Sequence, residues 1–218
     1  MIRHALDLLR SMRTRRPAVV VILAIVALAA APVTLAAGID PGTLNPAPPD
    51  FYSCRATGDG TICRAHTIEP YDLEPTGIFC GSGAGTVEIL DSAIRDVDAT
   101  RWYDREGNLT RRQRTFLFRN AVLTNPANGQ TLPYSQHNTD NEVLGVPGDL
   151  DSVTLTSHGH LSIAAPGFGV VIIEAGQIVV EPDGNVEFQA GPFQMDRYYG
   201  GELELVDDLC AALGTPNS

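Results

Sequence analysis

The sequence predicts an all-β fold: an antiparallel meander closed or strongly bent into a β-barrel or sandwich, with one C-terminal helix. From residue 77 onward the chain reads as long strand-like runs rich in Val, Ile, Leu, Thr and aromatic residues. Clusters of Gly, Asn, Asp and Pro separate these runs, and such residues make the short turns that join sequential antiparallel strands. Only one stretch, near the C terminus, carries leucines every four residues, the spacing of a helix face.

The first element is not part of the fold. Arg3, Arg10, Arg13, Arg15 and Arg16 precede an unbroken apolar run over residues 18–31, and small residues follow from Thr34 to Gly38. A basic head, an apolar middle and a small-residue exit form the layout of a secretory signal, with cleavage expected after Ala36 or Ala37. The alternative is an uncleaved anchor, because about 20 residues suffice to cross a bilayer core of roughly 30 Å. Pro32 and Thr34 interrupt that run and favour cleavage. In either case the basic flank sends the rest of the chain outward. The expected location is therefore secreted or extracellular, with membrane anchoring through residues 1–37 as the alternative.

Residues 38–50 hold Pro41, Pro46, Pro48 and Pro49 and few apolar side chains, the composition of a disordered or extended tether. Residues 51–76 read as a small disulfide-closed hairpin, with turn material at Thr57-Gly58-Asp59-Gly60. The main β domain spans 77–214. Its Gly81-Ser82-Gly83-Ala84-Gly85 precedes a strand and not a helix, so it lacks the helix N-terminus of a phosphate cradle. Strands are expected over 86–103, 109–124, 153–164, 170–174, 177–180 and 185–190. The polar stretch 136–151 is expected as a long loop. Runs longer than five or six residues suit a bent or closed sheet better than a flat one. Leu205, Leu209 and Leu213 predict a helix over 203–213, stopped by Gly214 and Pro216.

Composition narrows the function classes. The chain has 218 residues and a formal net charge of −11. Without residues 1–37, which hold five arginines and Asp7, 181 residues remain, with ten arginines against 25 acidic residues and a balance of −15. That surface repels phosphate backbones, so nucleic acid and anionic lipid are not expected partners. No lysine occurs anywhere, which excludes Schiff-base chemistry and a phosphate-loop lysine. No G-x-S-x-G occurs, so the nucleophile elbow is missing as well.

Cys54, Cys63, Cys80 and Cys210 all follow the export segment. An even count in an oxidising compartment reads as two disulfides, with three possible pairings. The turn between Cys54 and Cys63 favours their pairing, which leaves Cys80 for Cys210. The spacings lack paired C-x-x-C units, so a zinc site is not supported.

The chemical candidates are His158 and His160, which share one face of a strand by alternation. Two such histidines can chelate a metal with His137 or Glu142 as a third ligand, or they can line the wet face of a half-buried strand. Asp140, Asn141, Glu142, Asp149 and Asp151 offer hard oxygens of the kind calcium takes, though without the EF-hand spacing. The Asp96, Asp98, Asp104, Glu106 and Asn108 run is read as strand and turn. Arg111, Arg112, Arg114 and Arg119 form the one basic cluster past residue 37; they are expected to pair with carboxylates on neighbouring strands, or else to bind a carboxylate or sulfate ligand. Asn108-Leu109-Thr110 fits a glycosylation sequon. Trp102, Tyr103, Phe116 and Phe118 are available to line an interior.

Several turns together resemble a group of secreted, uncharacterised actinobacterial proteins. The matching residues are Gly77-Ile-Phe-Cys80 with Val87, Asp104-Arg-Glu-Gly-Asn108, Leu123 to Gln130, Ala165 to Gly169, Gly176 to Gly191 and Leu209-Cys-Ala-Ala-Leu213. The resemblance covers roughly 77–214 and implies secretion and a β fold, with no activity attached. In shape alone, the expected barrel is similar to calycin and allene-oxide-cyclase-like barrels.

The reading that follows is a secreted acidic β protein acting as a binding or cell-envelope accessory module, needing no cofactor. Its expected partner is a small apolar ligand or an envelope component. The alternative is a secreted enzyme or metal-dependent protein using His158 and His160. A third reading is a structural surface protein with a solidly packed interior.

Overall fold

The computed structural model describes residues 39–215; the expected export segment lies outside the described residues. Eight strands form one sheet in sequence order, each antiparallel to the next. They are β1 (Ser53–Thr57), β2 (Gly60–Cys80), β3 (Val87–Tyr103), β4 (Leu109–Thr124), β5 (Thr131–Leu144), β6 (Val153–Ala165), β7 (Gly169–Val180) and β8 (Val186–Ala190). The meander is as the turn chemistry predicts. The sheet is not closed: β1 and β8 are its two edges and do not pair.

Two features curve it. Register shifts fall side by side on successive strand pairs, at Tyr71/Glu74 and Pro75/Phe79, at Ser92/Ile94, and at Phe118/Val122. A bulge lengthens one strand against its neighbour and increases the local twist and bend. A row of glycines crosses β6 and β7 to the end of β8. At Gly159 a Cβ would lie 2.4 Å from the His137 carbonyl oxygen, and at Gly176, φ +151°, 2.0 Å from that of Ala190. The backbones approach closely there because no side chain stands between them.

Both ends of the curved sheet carry apolar clusters. At the bulged end Ile78, Ile89, Leu123, Ile163 and Ile172 pack against Met195, Tyr198, Leu209 and Leu213. The last four come from two short helices, α1 (Gln194–Tyr199) and α2 (Asp207–Ala212), and the turn after α2. Residues 203–213 are thus not one helix: Leu203–Val206 is a 3-10 turn and only α2 is α-helical. The Cys80–Cys210 disulfide fastens α2 to the end of β2. At the other end Leu44, Cys63, Tyr103, Leu109 and Leu144 form a second cluster.

Four expectations are corrected here. Residues 39–50 are no tether: Leu44 is buried, and residue 45 exchanges backbone hydrogen bonds with Gly107 and Leu109. A few apolar side chains suffice to seat a short proline-rich segment when an open sheet end needs covering. The disulfide hairpin is no separate unit, because β2 is one strand from Gly60 to Cys80 and pairs with β3 on both sides of its two register shifts. Residues 170–180 form one strand that runs through Ala175 and Gly176. Residues 136–144 are strand and not loop. Their polarity hid them, because the face they occupy is itself polar.

Candidate functional site

Strand alternation gives the sheet two faces, and the register assigns each candidate to one of them. His137 stands opposite His160, and His158 opposite Thr139. The His137 and His160 rings lie 6.3 Å apart, and His158 and His160 are exposed. Among the described residues, no group of three or more His, Cys, Asp or Glu side chains is placed to hold a metal ion. A cleft of about 190 Å³ is bordered by residues 157–161 with Gln136, Asn138 and Glu174. Alternation turns Ser157, Gly159 and Leu161 into it, so the histidines border it through their backbone.

The five oxygen-bearing residues of 140–151 do not converge. Asp140 and Glu142 point to the concave face, where Arg114 binds both and Arg112 binds Glu142. Asn141 points the other way and accepts from Arg111. Asp149 caps a 3-10 turn by accepting from the Asp151 backbone N–H. On the convex face Asp96 is buried against Arg119 and His66, and Asp98 accepts from Nδ1 of the same imidazole at 3.1 Å. The arginine cluster is therefore largely spent on neighbouring strands. Trp102 lies on the convex face beneath Arg111, whereas Phe116 faces the concave side. The Asn108 side chain accepts from Asn45 at 3.3 Å.

The concave face holds a site that no local motif announces. Tyr71 on β2, Asp91 on β3 and Tyr134 on β5 meet there. Both hydroxyls donate to the same oxygen of Asp91, Oδ2, at 2.6 and 2.9 Å, and the hydroxyls themselves are 3.3 Å apart. On a flat sheet β2 and β5 would stand about 14 Å apart, so this contact depends on the curvature. Asp91 Oδ1 is buried and has no hydrogen-bond partner. An unpartnered buried acceptor costs about 1–3 kcal/mol, more for a charged group.

Burial, with the hydrogen bond to Asp91, pushes the Tyr71 hydroxyl up to about 12. Burial raises Tyr134 still further, helped by Tyr71 and the negative charge of Asp91. Both phenols are therefore proton-holding donors at neutral pH, and Asp91 is the acceptor they orient.

The three residues border a cavity of about 260 Å³, whose walls include Ile78, Leu123, Leu161, Ile163 and Met195. Its apolar walls come from the bulged-end core and α1; its polar side carries Asp91 together with Glu74, Arg95 and Gln136. The site is thus shaped for a molecule with an apolar body and a hydrogen-bond-donating head. Sequence reading missed it because its members are 20, 43 and 63 residues apart in pairs and Tyr71 fell in the segment read as a small separate hairpin. The tyrosine content of strands flanking one acidic position was the only available signal.

The chain was compared with protein-family models, curated proteins and solved structures, and it matches none. Fold and geometry alone bear on what it does.

Proposed function

We propose that this protein is an exported binding module that holds a small ligand, apolar in body and donor-headed, in the Tyr71–Asp91–Tyr134 cavity. The observation that carries the reading is the Asp91 carboxylate, one oxygen of which has no hydrogen-bond partner, bordering a cavity with one apolar side. Ligand sites are concave and mostly apolar, with a few polar groups fixing orientation. A primary amine suits this one, because it supplies a donor and a positive charge to the carboxylate.

Export is supported by the basic-then-apolar order of residues 1–37 and by two disulfides, which persist in oxidising compartments. Among the described residues, no helix is long and apolar enough to cross a membrane. We further propose kinship with the secreted actinobacterial group that the turns resemble; the meander with its stapled C-terminal helix fits the β fold that the resemblance implies.

The test is calorimetric titration with 2-phenylethylamine, 2-phenylethanol and 3-phenylpropionate. Saturable binding of the amine, weakened at least tenfold by Asp91→Asn, is expected. Equal binding by Asp91→Asn, or no saturable binding of either donor-headed probe, would overturn the reading.

A further inference from the structure

A second cavity, of about 300 Å³, lies on the concave face beneath Phe51 and Tyr52. It is bordered by Arg95, Arg101 and Arg114, and by Phe116. Arg95 is held by Glu69 at 2.7 Å and Arg114 by Glu142 at 2.7 Å. Arg112, beside them, also binds Glu142. Arg101 differs. Among the described residues no carboxylate lies within ion-pair distance of it, and its Nε is buried with no hydrogen-bond partner. It touches the Tyr52 ring, 5.0 Å from its guanidinium carbon, and the Tyr103 hydroxyl, neither of which carries a negative charge.

The register sharpens this imbalance. Arg101 is the direct cross-strand partner of Arg112, and like charges placed opposite each other destabilise a sheet. Glu142 neutralises Arg112 and is shared with Arg114, which leaves nothing for Arg101. In a protein with far more acidic than basic residues, a guanidinium left without a carboxylate in a cavity is a local positive spot. Distant carboxylates do not cancel it, because the Debye length is about 8 Å at physiological ionic strength.

We propose that this cavity binds a small arylcarboxylate, with the carboxylate on Arg101 and the ring against Tyr52, Phe51 and Phe116. The planar guanidinium fork matches a carboxylate through two parallel hydrogen bonds. The aromatic rings supply an apolar wall; Phe51, 62% exposed beside the cavity, gains cover when a ring lies against it. The bound anion also relieves the repulsion between Arg101 and Arg112. This cavity shares Arg95 with the Asp91 cavity but is centred on Arg101, which does not border the other, and it takes a ligand of opposite charge.

The experiment titrates benzoate and inorganic sulfate into the protein obtained from the full chain, as wild type, Arg101→Gln and Phe51→Ala. Expected are saturable benzoate binding that weakens as salt rises, a loss of at least tenfold in Arg101→Gln, and a loss of about threefold in Phe51→Ala. Binding of 2-phenylethylamine stays unchanged in Arg101→Gln, so failure here is distinguishable from failure at Asp91. Should Arg101→Gln fail to fold, Arg101→Lys, which keeps the charge and loses the fork, is expected to weaken benzoate several-fold. Absence of saturable benzoate binding, or unchanged binding in the Arg101 variants, overturns the proposal. So does Arg101-dependent sulfate binding as tight as that of benzoate, because the rings would then contribute nothing.

Discussion

Two phenols donating to one carboxylate oxygen give the protein a defined response to alkali. Folded Tyr71 holds its proton to about pH 12, against 10 for the free side chain, and Tyr134 is shifted in the same direction. The folded state therefore binds protons that the unfolded chain has released. Their contribution to stability is fully present below pH 10 and is lost as pH rises through the folded values. Alkaline unfolding monitored by phenolate absorbance should show a steep loss from pH 10 upward. Tyr71→Phe with Tyr134→Phe should flatten it; an unaltered slope would show that the pair is not what is lost. Single residues also mark where sequence reading succeeds. The arginines of β4 were expected on neighbouring carboxylates, and Arg112, Arg114 and Arg119 are there. That Arg101 lacks a carboxylate was not legible, because that depends on which carboxylates share its face across three strands.

At the level of elements, the runs that alternate or are plainly apolar were legible, and β3, β4, β6 and β8 lie close to their expected limits. β5 was not. Its polar residues sit on a concave face made of arginines, carboxylates and hydroxyls, so the usual contrast between a wet and an apolar face is absent. The two short helices were blurred for a different reason: each has six residues, too few to display a period. The glycine row that bends β6 and β7 predicts its own test. Gly159→Ala places a Cβ 2.6 Å from the Asn138 Cβ, and overpacking of this kind costs about 1–3 kcal/mol. The urea midpoint should fall accordingly. A midpoint equal to wild type would mean that the strands can separate without penalty.

For the whole molecule, the two disulfides differ in reach. Cys54–Cys63 spans 9 residues within one hairpin, and Cys80–Cys210 spans 130, joining the bulged end of the sheet to the terminal helix. Loop-closure entropy gives about 2.5 kcal/mol for the short one and about 5 kcal/mol for the long one. Thermal unfolding of Cys80→Ser with Cys210→Ser should therefore show roughly twice the loss seen for Cys54→Ser with Cys63→Ser. The reverse order would mean that the α2 end frays without consequence. Among the described residues the buried apolar clusters lie at the two ends of the sheet; the Asp91 cavity borders the bulged-end cluster, and the Arg101 cavity lies on the polar concave face.

By itself the sequence determined the antiparallel meander, the residues of its turns, the acidic and lysine-free surface, and four cysteines suited to two bridges. These follow from local chemistry: turn propensity, alternation, charge count and spacing along the chain. Only the tertiary structure decided that the sheet stays open, that residues 39–50 close one end, and that Tyr71, Asp91 and Tyr134 converge. Each of those depends on curvature summed over several strands, and bulges and glycines set that curvature by how they line up between strands, a relation that no single stretch of sequence contains.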